Sequence, residues 1–403
     1  MSAPLPSARL WPLLAGINLA AGLAISAMPE RQTDLQAMQT WGRTWLVDGS
    51  DVYGIASLKP TYPPHAIVAL SPLGVIDPAV AVPLWALLNI VLALLAVYLA
   101  VRAVRPAAPL ADIVLPMSMF LCWGGFRTLL QFSVLTLTLG LAAQVHASKR
   151  PYASGIALGF ALMKPQMAAP FFLWALFTRR WRVAVTAIAV CGAGVLVFCL
   201  RASVAPLHAI GEYTRILRSF YADDSLGLTG LAQVRPLVLL ALGNASAATV
   251  AAWGLAVVLL GLLCVWGWRE GRRSDLVVAA PALAAVWSVI TFYHLTYGFV
   301  VLLPVATLLL FSDSPETIAV RRKTFWFMQA ALMADVPGAA RWIGANQWLP
   351  EGAAAALGHA DRFFALALFA SLTWIGLRHT RLLGNVKRDR SDDREEHRVR
   401  RHA

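Results

Sequence analysis

The sequence predicts an all-α, polytopic membrane protein. Of its 403 residues, 59% are hydrophobic and only 14% are charged, and the mean hydropathy is +0.64. One soluble core does not bury this much apolar surface. Long apolar runs recur from end to end and lack the alternation of barrel strands, so the membrane-spanning segments are predicted to be helices.

We predict about 10 to 12 membrane segments. They lie near Leu10–Met28, Pro78–Ala100, Leu110–Trp123, Leu129–Ala147, Ala153–Met163, Gln166–Phe177, Val183–Leu200, Ala245–Trp268, Leu276–Tyr293, Thr296–Phe311, Phe325–Ala340 and Phe363–Leu377. The fifth and sixth are too short to cross independently, and Met163-Lys164-Pro165-Gln166 interrupts them. We therefore expect a broken or re-entrant helical hairpin there.

Basic residues predict the orientation. With the N-terminus inside, about 23 of the 34 Lys and Arg face the cytoplasm, as expected of a bacterial-type inner membrane protein. The C-terminus is then also cytoplasmic, and residues 30–77 and 201–245 are long external segments.

The net charge of +13 does not indicate a nucleic-acid partner, because the basic residues are spread over loops and concentrated in the tail. Topology and anionic membrane lipids account for them better. We assign residues 1–377 to one membrane-embedded domain and 378–403 to a basic, disordered cytoplasmic tail. The four cysteines lie in apolar segments and show no metal or disulfide spacing.

The motifs of soluble nucleotide-dependent and hydrolytic enzymes are missing, so any chemistry has to use groups at the membrane interface. Polar residues cluster in the first external loop. Asp34 stands apart there, because it follows the first apolar segment by about six residues and heads a predicted short helix that runs to Val47. We expect the apolar residues of this helix to lie on the bilayer surface.

The first loop resembles that of glycosyltransferase family 87, polytopic enzymes of the GT-C type. The resemblance is carried by TDLQAMQTWGRTWLVDGSDVYG, Tyr62-Pro63-Pro64, Ser71-Pro72-Leu73, Gln131-Phe132-Ser133, Gly155 to Pro165, Asp224 to Leu228, and Tyr293 to Tyr297. It departs from the family where Phe126-Arg127 precedes Gln131 without a Gly directly before Gln, and where Asp223-Asp224 replaces Asn-Gln.

The resemblance implies a GT-C-type helical bundle that moves a sugar, mannose or a similar hexose or pentose, from a polyprenyl-phosphate donor to a glycolipid or polysaccharide acceptor of the cell envelope. The reaction would occur on the extracytoplasmic side. Asp34 would be the general base of an inverting transfer. No cofactor and no metal are expected, since the polyprenyl-phosphate sugar is itself the donor substrate.

Cations or hydrogen-bond donors should stabilise the departing phosphate. The candidates are Lys164, His294, Arg127, Arg215 and Arg218. Lys164 can instead snorkel from a helix end, His294 can be a core histidine, and the arginines can contact lipid headgroups.

The predicted substrate-binding residues are Gln131, Tyr62, Asp51, Asp224 and Tyr293. Gln131 can equally be a helix-packing residue, and Tyr62-Pro63-Pro64 can simply hold an extended lead into a short helix. A secondary transporter, a lipid-linked envelope polymerase or ligase, and a noncatalytic membrane scaffold remain alternative functions.

Overall fold

The structure is a computed structural model. It describes residues 34–122, 130–222, 234–270, 276–292, 294, 296–311 and 323–328, together with scattered residues between 12 and 24. The proposed tail, residues 378–403, lies outside this part of the chain, so the division into two domains stays a prediction.

Within the described residues every regular element is helical. The α-helices are α1 (Asp34–Leu46), α2 (Pro64–Leu70), α3 (Pro78–Val104), α4 (Leu110–Cys122), α5 (Ser133–His146), α6 (Pro151–Ala161), α7 (Pro165–Phe177), α8 (Trp181–Ala202), α9 (Pro206–Ala222), α10 (Arg235–Leu242), α11 (Ala245–Glu270), α12 (Leu276–Thr291) and α13 (Leu303–Phe311). Short 3-10 helices cover Ser71–Val75 and Thr296–Leu302, and residues 323–328 are also helical.

Three of the described helices are long and apolar enough to cross a bilayer: Pro78–Val104, Trp181–Ala202 and Ala245–Trp268. Their outer surfaces carry exposed apolar side chains, for example Val91, Val185 and Val257, as expected of helices that face lipid. Together with the shorter apolar helices α4, α5, α7, α12 and α13, they confirm the all-helical membrane architecture. The count of 10 to 12 segments stays a prediction.

Proline begins several of these helices. It occupies one of the first two positions of α2, α3, α6, α7 and α10, where its missing N–H leaves no intrahelical hydrogen bond unmade. Pro63 before α2 is extended, with φ −70° and ψ 160°. The predicted extended lead into a short helix is therefore confirmed.

The bundle is held by close contacts between small residues. Helix α6 packs on α8, and Gly155 and Gly159 of α6 face it. A Cβ atom on Gly155 would lie 2.8 Å from the Val183 carbonyl oxygen, and one on Gly159 would lie 3.1 Å from that of Ala187. The two backbones approach closely because glycine leaves room, as is common between membrane helices.

Helix α1 differs from the prediction in one respect. Its apolar residues Leu35, Met38, Trp41 and Trp45 are all buried against the protein, so this face does not lie on the bilayer surface. The helix packs on the Ser71–Val75 segment, and the Gln39 amide donates to the Leu73 carbonyl at 3.3 Å and to the Ile76 carbonyl at 3.0 Å. Protein contacts therefore replace the lipid contacts that amphipathicity alone suggested.

Candidate active site

Asp34 is the first residue of α1, where the helix dipole favours a negative charge. Its side chain is 25% exposed. The far end of α1 is fixed to the end of α8: the Trp45 indole donates to the Phe198 carbonyl at 3.1 Å, and Arg201 donates to the Leu46 carbonyl at 3.0 Å. The carboxylate is thus presented by a helix that is anchored at its other end.

Lys164 lies between α6 and α7. Because Pro165 lacks an N–H and disfavours helical geometry in the preceding residue, the chain breaks at Lys164, whose φ is −123° and ψ is 81°. This confirms the predicted interruption of the hairpin. The Lys164 side chain is only 8% exposed, and its ammonium lies 3.3 Å from Asp34 Oδ2. It also donates to the Ser133 hydroxyl at 3.0 Å and lies 5.7 Å from the centre of the Tyr62 ring.

Two further predicted residues contact the same carboxylate. The Tyr62 hydroxyl donates to Asp34 Oδ2 at 2.6 Å. We orient the Gln131 amide with its nitrogen toward Asp34, since a carboxylate can only accept; it then donates to Oδ2 and, at 3.3 Å, to Oδ1. In this orientation Gln131 bonds Asp34 rather than Lys164. The acid is therefore surrounded by a cation and two neutral donors, from three separate parts of the chain.

Asp51 lies in the loop between α1 and α2, and both of its carboxylate oxygens bond to protein groups. Oδ1 accepts from the Tyr53 backbone N–H at 3.1 Å, and Oδ2 lies 3.2 Å from Nε2 of His208 on α9. The predicted contact of Asp51 with substrate stays a prediction.

His294 is buried, with 2% of its surface exposed, and its Nε2 lies 3.2 Å from the Ser288 hydroxyl. That hydroxyl donates to the Gln166 carbonyl, so Nε2 has to be the protonated nitrogen that donates to Ser288. Burial, with a smaller effect of the Lys164 charge, lowers the pKa of His294 to about 3. Its Nε2 N–H is used within the protein, and the predicted role of His294 toward the donor phosphate stays a prediction.

Arg215 and Arg218 lie on α9 and are exposed. Arg215 forms a short ion pair with Glu212 of the same helix at 2.6 Å, and this hydrogen bond lowers the pKa of Glu212. Arg127, Asp224 and Tyr293 lie outside the described residues, so their roles stay predictions. Among the residues that the structure does describe, no three His, Cys, Asp or Glu side chains are grouped so that they could hold a metal ion.

Sequence reasoning missed three residues that the fold brings into this network. Ser133, which contacts Lys164, was visible only as a neighbour of Gln131 at the start of an apolar segment. His208 and Tyr53 gave no signal, because their contacts depend on how the first loop packs against α8 and α9.

Comparison with known proteins places the chain in a family. No curated protein and no solved structure shows significant similarity to it. The model of glycosyltransferase family 87 matches residues 61–292, more than half of the 403 residues. The matched range includes Tyr62, Gln131 and Lys164 and begins after Asp34 and Asp51. With its apolar helices and this match, the chain belongs to glycosyltransferase family 87 and is a multi-pass membrane glycosyltransferase.

Proposed function

We propose that this protein transfers a sugar, mannose or a similar hexose or pentose, from a polyprenyl-phosphate donor to a glycolipid or polysaccharide acceptor of the cell envelope. The transfer inverts the anomeric configuration, so a β-linked donor gives an α-linked product. It takes place on the extracytoplasmic side of the inner membrane. The orientation rests on the excess of Lys and Arg in the opposite loops.

One observation carries the proposal: the Lys164 ammonium lies 3.3 Å from the Asp34 carboxylate at the end of a broken helical hairpin. Glycosyl transfer from a lipid phosphate needs a base for the acceptor hydroxyl and a positive charge for the departing phosphate. An acid and a cation in contact bring both requirements to one place.

The contacts suggest the order of events. Lys164 pairs with Asp34 in the absence of donor, and a donor phosphate competes for the ammonium. When Lys164 turns to the phosphate, Asp34 loses one of its contacts while Tyr62 and Gln131 continue to orient it. The carboxylate then has a lone pair available for the acceptor hydroxyl. As this oxygen attacks the anomeric carbon, its proton moves to Asp34, and the bond from that carbon to the phosphate oxygen breaks.

Sugar transfer in proteoliposomes tests this function. Purified protein is supplied with polyprenyl-phosphate mannose or arabinose and with a membrane glycolipid extract, and the product is analysed for its anomeric configuration. We expect transfer with inversion for the wild type and its loss in Asp34→Asn. A product with retained configuration, or full transfer by Asp34→Asn, would remove Asp34 as the base.

A further inference from the structure

The loop between α1 and α2 makes a polar contact with α9. Its first part is held by Arg201, which donates to the Leu46 and Val47 carbonyls at 3.0 and 3.1 Å. Further along, Asp51 Oδ2 meets His208 Nε2 at 3.2 Å. The Asp51 side chain is 14% exposed and that of His208 is 51% exposed, so this contact is at the protein surface.

Asp51 shapes the loop that follows it. Its Oδ1 accepts from the Tyr53 backbone N–H, and its carbonyl accepts from the Gly54 N–H at 3.2 Å. A carboxylate that bonds the backbone two residues on favours a tight turn. Since the other oxygen is directed to His208, the position of this turn depends on α9.

Tyr53 connects this turn to the protein interior. Its ring is 1% exposed and packs edge-on against Phe198 of α8 and Tyr213 of α9, with centroids 5.4 and 6.0 Å apart. Burial raises the pKa of Tyr53 well above its ordinary value, so the hydroxyl remains a donor. It donates to the Tyr62 backbone carbonyl at 2.6 Å.

Tyr62 completes the series, because its own hydroxyl donates to Asp34 at 2.6 Å. Its ring lies between Phe132 and Trp41, with centroids 5.8 and 6.1 Å away. The ring contacts limit rotation, while the bond from Tyr53 fixes the backbone from which the side chain projects. Polar contacts thus connect His208 on α9, by way of Asp51, Tyr53 and Tyr62, to Asp34.

We propose that His208 is a positioning residue for the candidate base, which it holds in place through Asp51, Tyr53 and Tyr62 without touching it. The inference rests on the proposed role of Asp34. Loss of the His208 contact frees the Asp51 turn, lets Tyr62 shift, and leaves Asp34 less well oriented toward the acceptor hydroxyl. Small displacements of a catalytic group reduce the rate more than they reduce substrate affinity.

The test compares His208→Ala with His208→Gln, whose amide nitrogen can occupy the place of Nε2 and keep a donor for Asp51. Thr214→Ala is the matched control, since its hydroxyl on the same helix donates only to the Ile210 carbonyl of that helix, at 2.7 Å. We expect kcat for sugar transfer to fall about 10-fold in His208→Ala, with KM little changed. It should be largely restored in His208→Gln and unchanged in Thr214→Ala.

A double-mutant cycle with Tyr62→Phe separates positioning from general damage to the fold. Since Tyr62→Phe removes the last link to Asp34, adding His208→Ala should lower kcat little further. Independent losses that multiply would overturn the proposal. So would a His208→Ala enzyme with normal kcat, or one in which KM alone rises, since that result would indicate direct contact with substrate.

Hydrogen exchange distinguishes failure of this inference from failure of the proposed function. In His208→Ala, the Tyr53 and Gly54 amides should exchange faster than in wild type or Thr214→Ala. This can be measured whether or not the protein transfers the sugars supplied. Unchanged exchange overturns the positioning role on its own. Faster exchange in a protein without transferase activity toward any donor would overturn the proposed function and leave the loop contact standing.

Discussion

Basic residues of this protein lie in two contrasting surroundings, one buried and one exposed. Lys164 is buried and contacts side chains from α1 and α5. Arg215 and Arg218 are exposed on α9, and the ion pair of Arg215 is with a residue three positions away. By residue type, all three can bind a phosphate. The difference teaches that contacts between distant parts of the chain, rather than charge, identify the residue suited to the reaction.

Substitution of Asp34 should give the largest loss of sugar transfer. Asp34→Asn keeps the shape but cannot accept a proton, so sugar transfer should fall by about 10³-fold, within the range of general base catalysis. Asp48→Asn is the matched control, because Asp48 is an exposed acid of the same loop. It should keep wild-type rates. Equal losses in the two variants would show that the loop needs negative charge in general.

Lys164 should give the next largest effect. Lys164→Met should lower transfer by about 10²-fold, since a positive charge near the leaving phosphate is lost. It should also cost about 1–3 kcal/mol of stability, because Asp34 is left without its cation in a largely buried place. Thermal unfolding in detergent measures this. The double variant Asp34→Asn/Lys164→Met should recover stability but not activity. If stability is not recovered, the unpaired Asp34 is not the cause of the stability lost in Lys164→Met.

Tyr62→Phe tests how much one hydrogen bond to the Asp34 carboxylate contributes to transfer. Removing one hydroxyl that donates to a carboxylate should reduce transfer by about 10-fold, in line with the strength of hydrogen bonds to charged groups. Phe keeps the ring contacts with Trp41 and Phe132. The unfolding temperature should therefore stay close to that of wild type. A large fall in that temperature would assign Tyr62 a mainly structural role.

The buried His294 should make the stability of the protein depend on pH. Because the pKa of His294 is lowered to about 3, the unfolded chain takes up a proton below about pH 6.5 that the folded protein does not. Stability should thus fall with decreasing pH from about 6.5 toward 3, by about 1.4 kcal/mol per pH unit for this one group. In His294→Gln, the free energy of unfolding should depend less steeply on pH between pH 6 and 5, by about 1.4 kcal/mol per pH unit, which corresponds to one proton. An unchanged slope would contradict burial as the cause.

The exposed arginines should give the smallest effect. Arg215→Ala and Arg218→Ala should raise KM for the donor no more than about 5-fold, without a change in kcat, as expected of binding that is equal in ground and transition states. The increase should shrink at high salt, because exposed charges are screened. A fall in kcat of the size expected for Lys164→Met would abolish the distinction drawn between the two groups.

Much of the architecture was predictable from the sequence because local signals determine it. Hydrophobic runs of the right length predicted α3, α8 and α11, and prolines marked helix starts. The break at Lys164 followed from Pro165. The short helix at Asp34 was also correctly predicted, although its apolar face could not be assigned to protein or lipid, because amphipathicity is the same in both cases.

The candidate site was predictable only residue by residue. Asp34, Tyr62, Gln131 and Lys164 were each identified, while their mutual contacts were not. Lys164 and Asp34 are 130 residues apart in sequence, and His208 and Asp51 are 157 apart. Such contacts depend on helix packing, which no single segment of the sequence determines. For the same reason neither the contact of Asp51 with His208 nor the burial of His294 could be predicted, and their roles toward substrate and phosphate stay predictions.

The long separation between Asp34 and Lys164 bears on how the protein is made. Asp34 is synthesised first, and helices α2 to α6 follow it before Lys164. A lysine within an apolar hairpin is costly to leave unpaired in the bilayer. The contact with Asp34 therefore stabilises Lys164 only once α1 has packed beside the hairpin, so the cost of burying this lysine is offset only when the earlier part of the chain is in place.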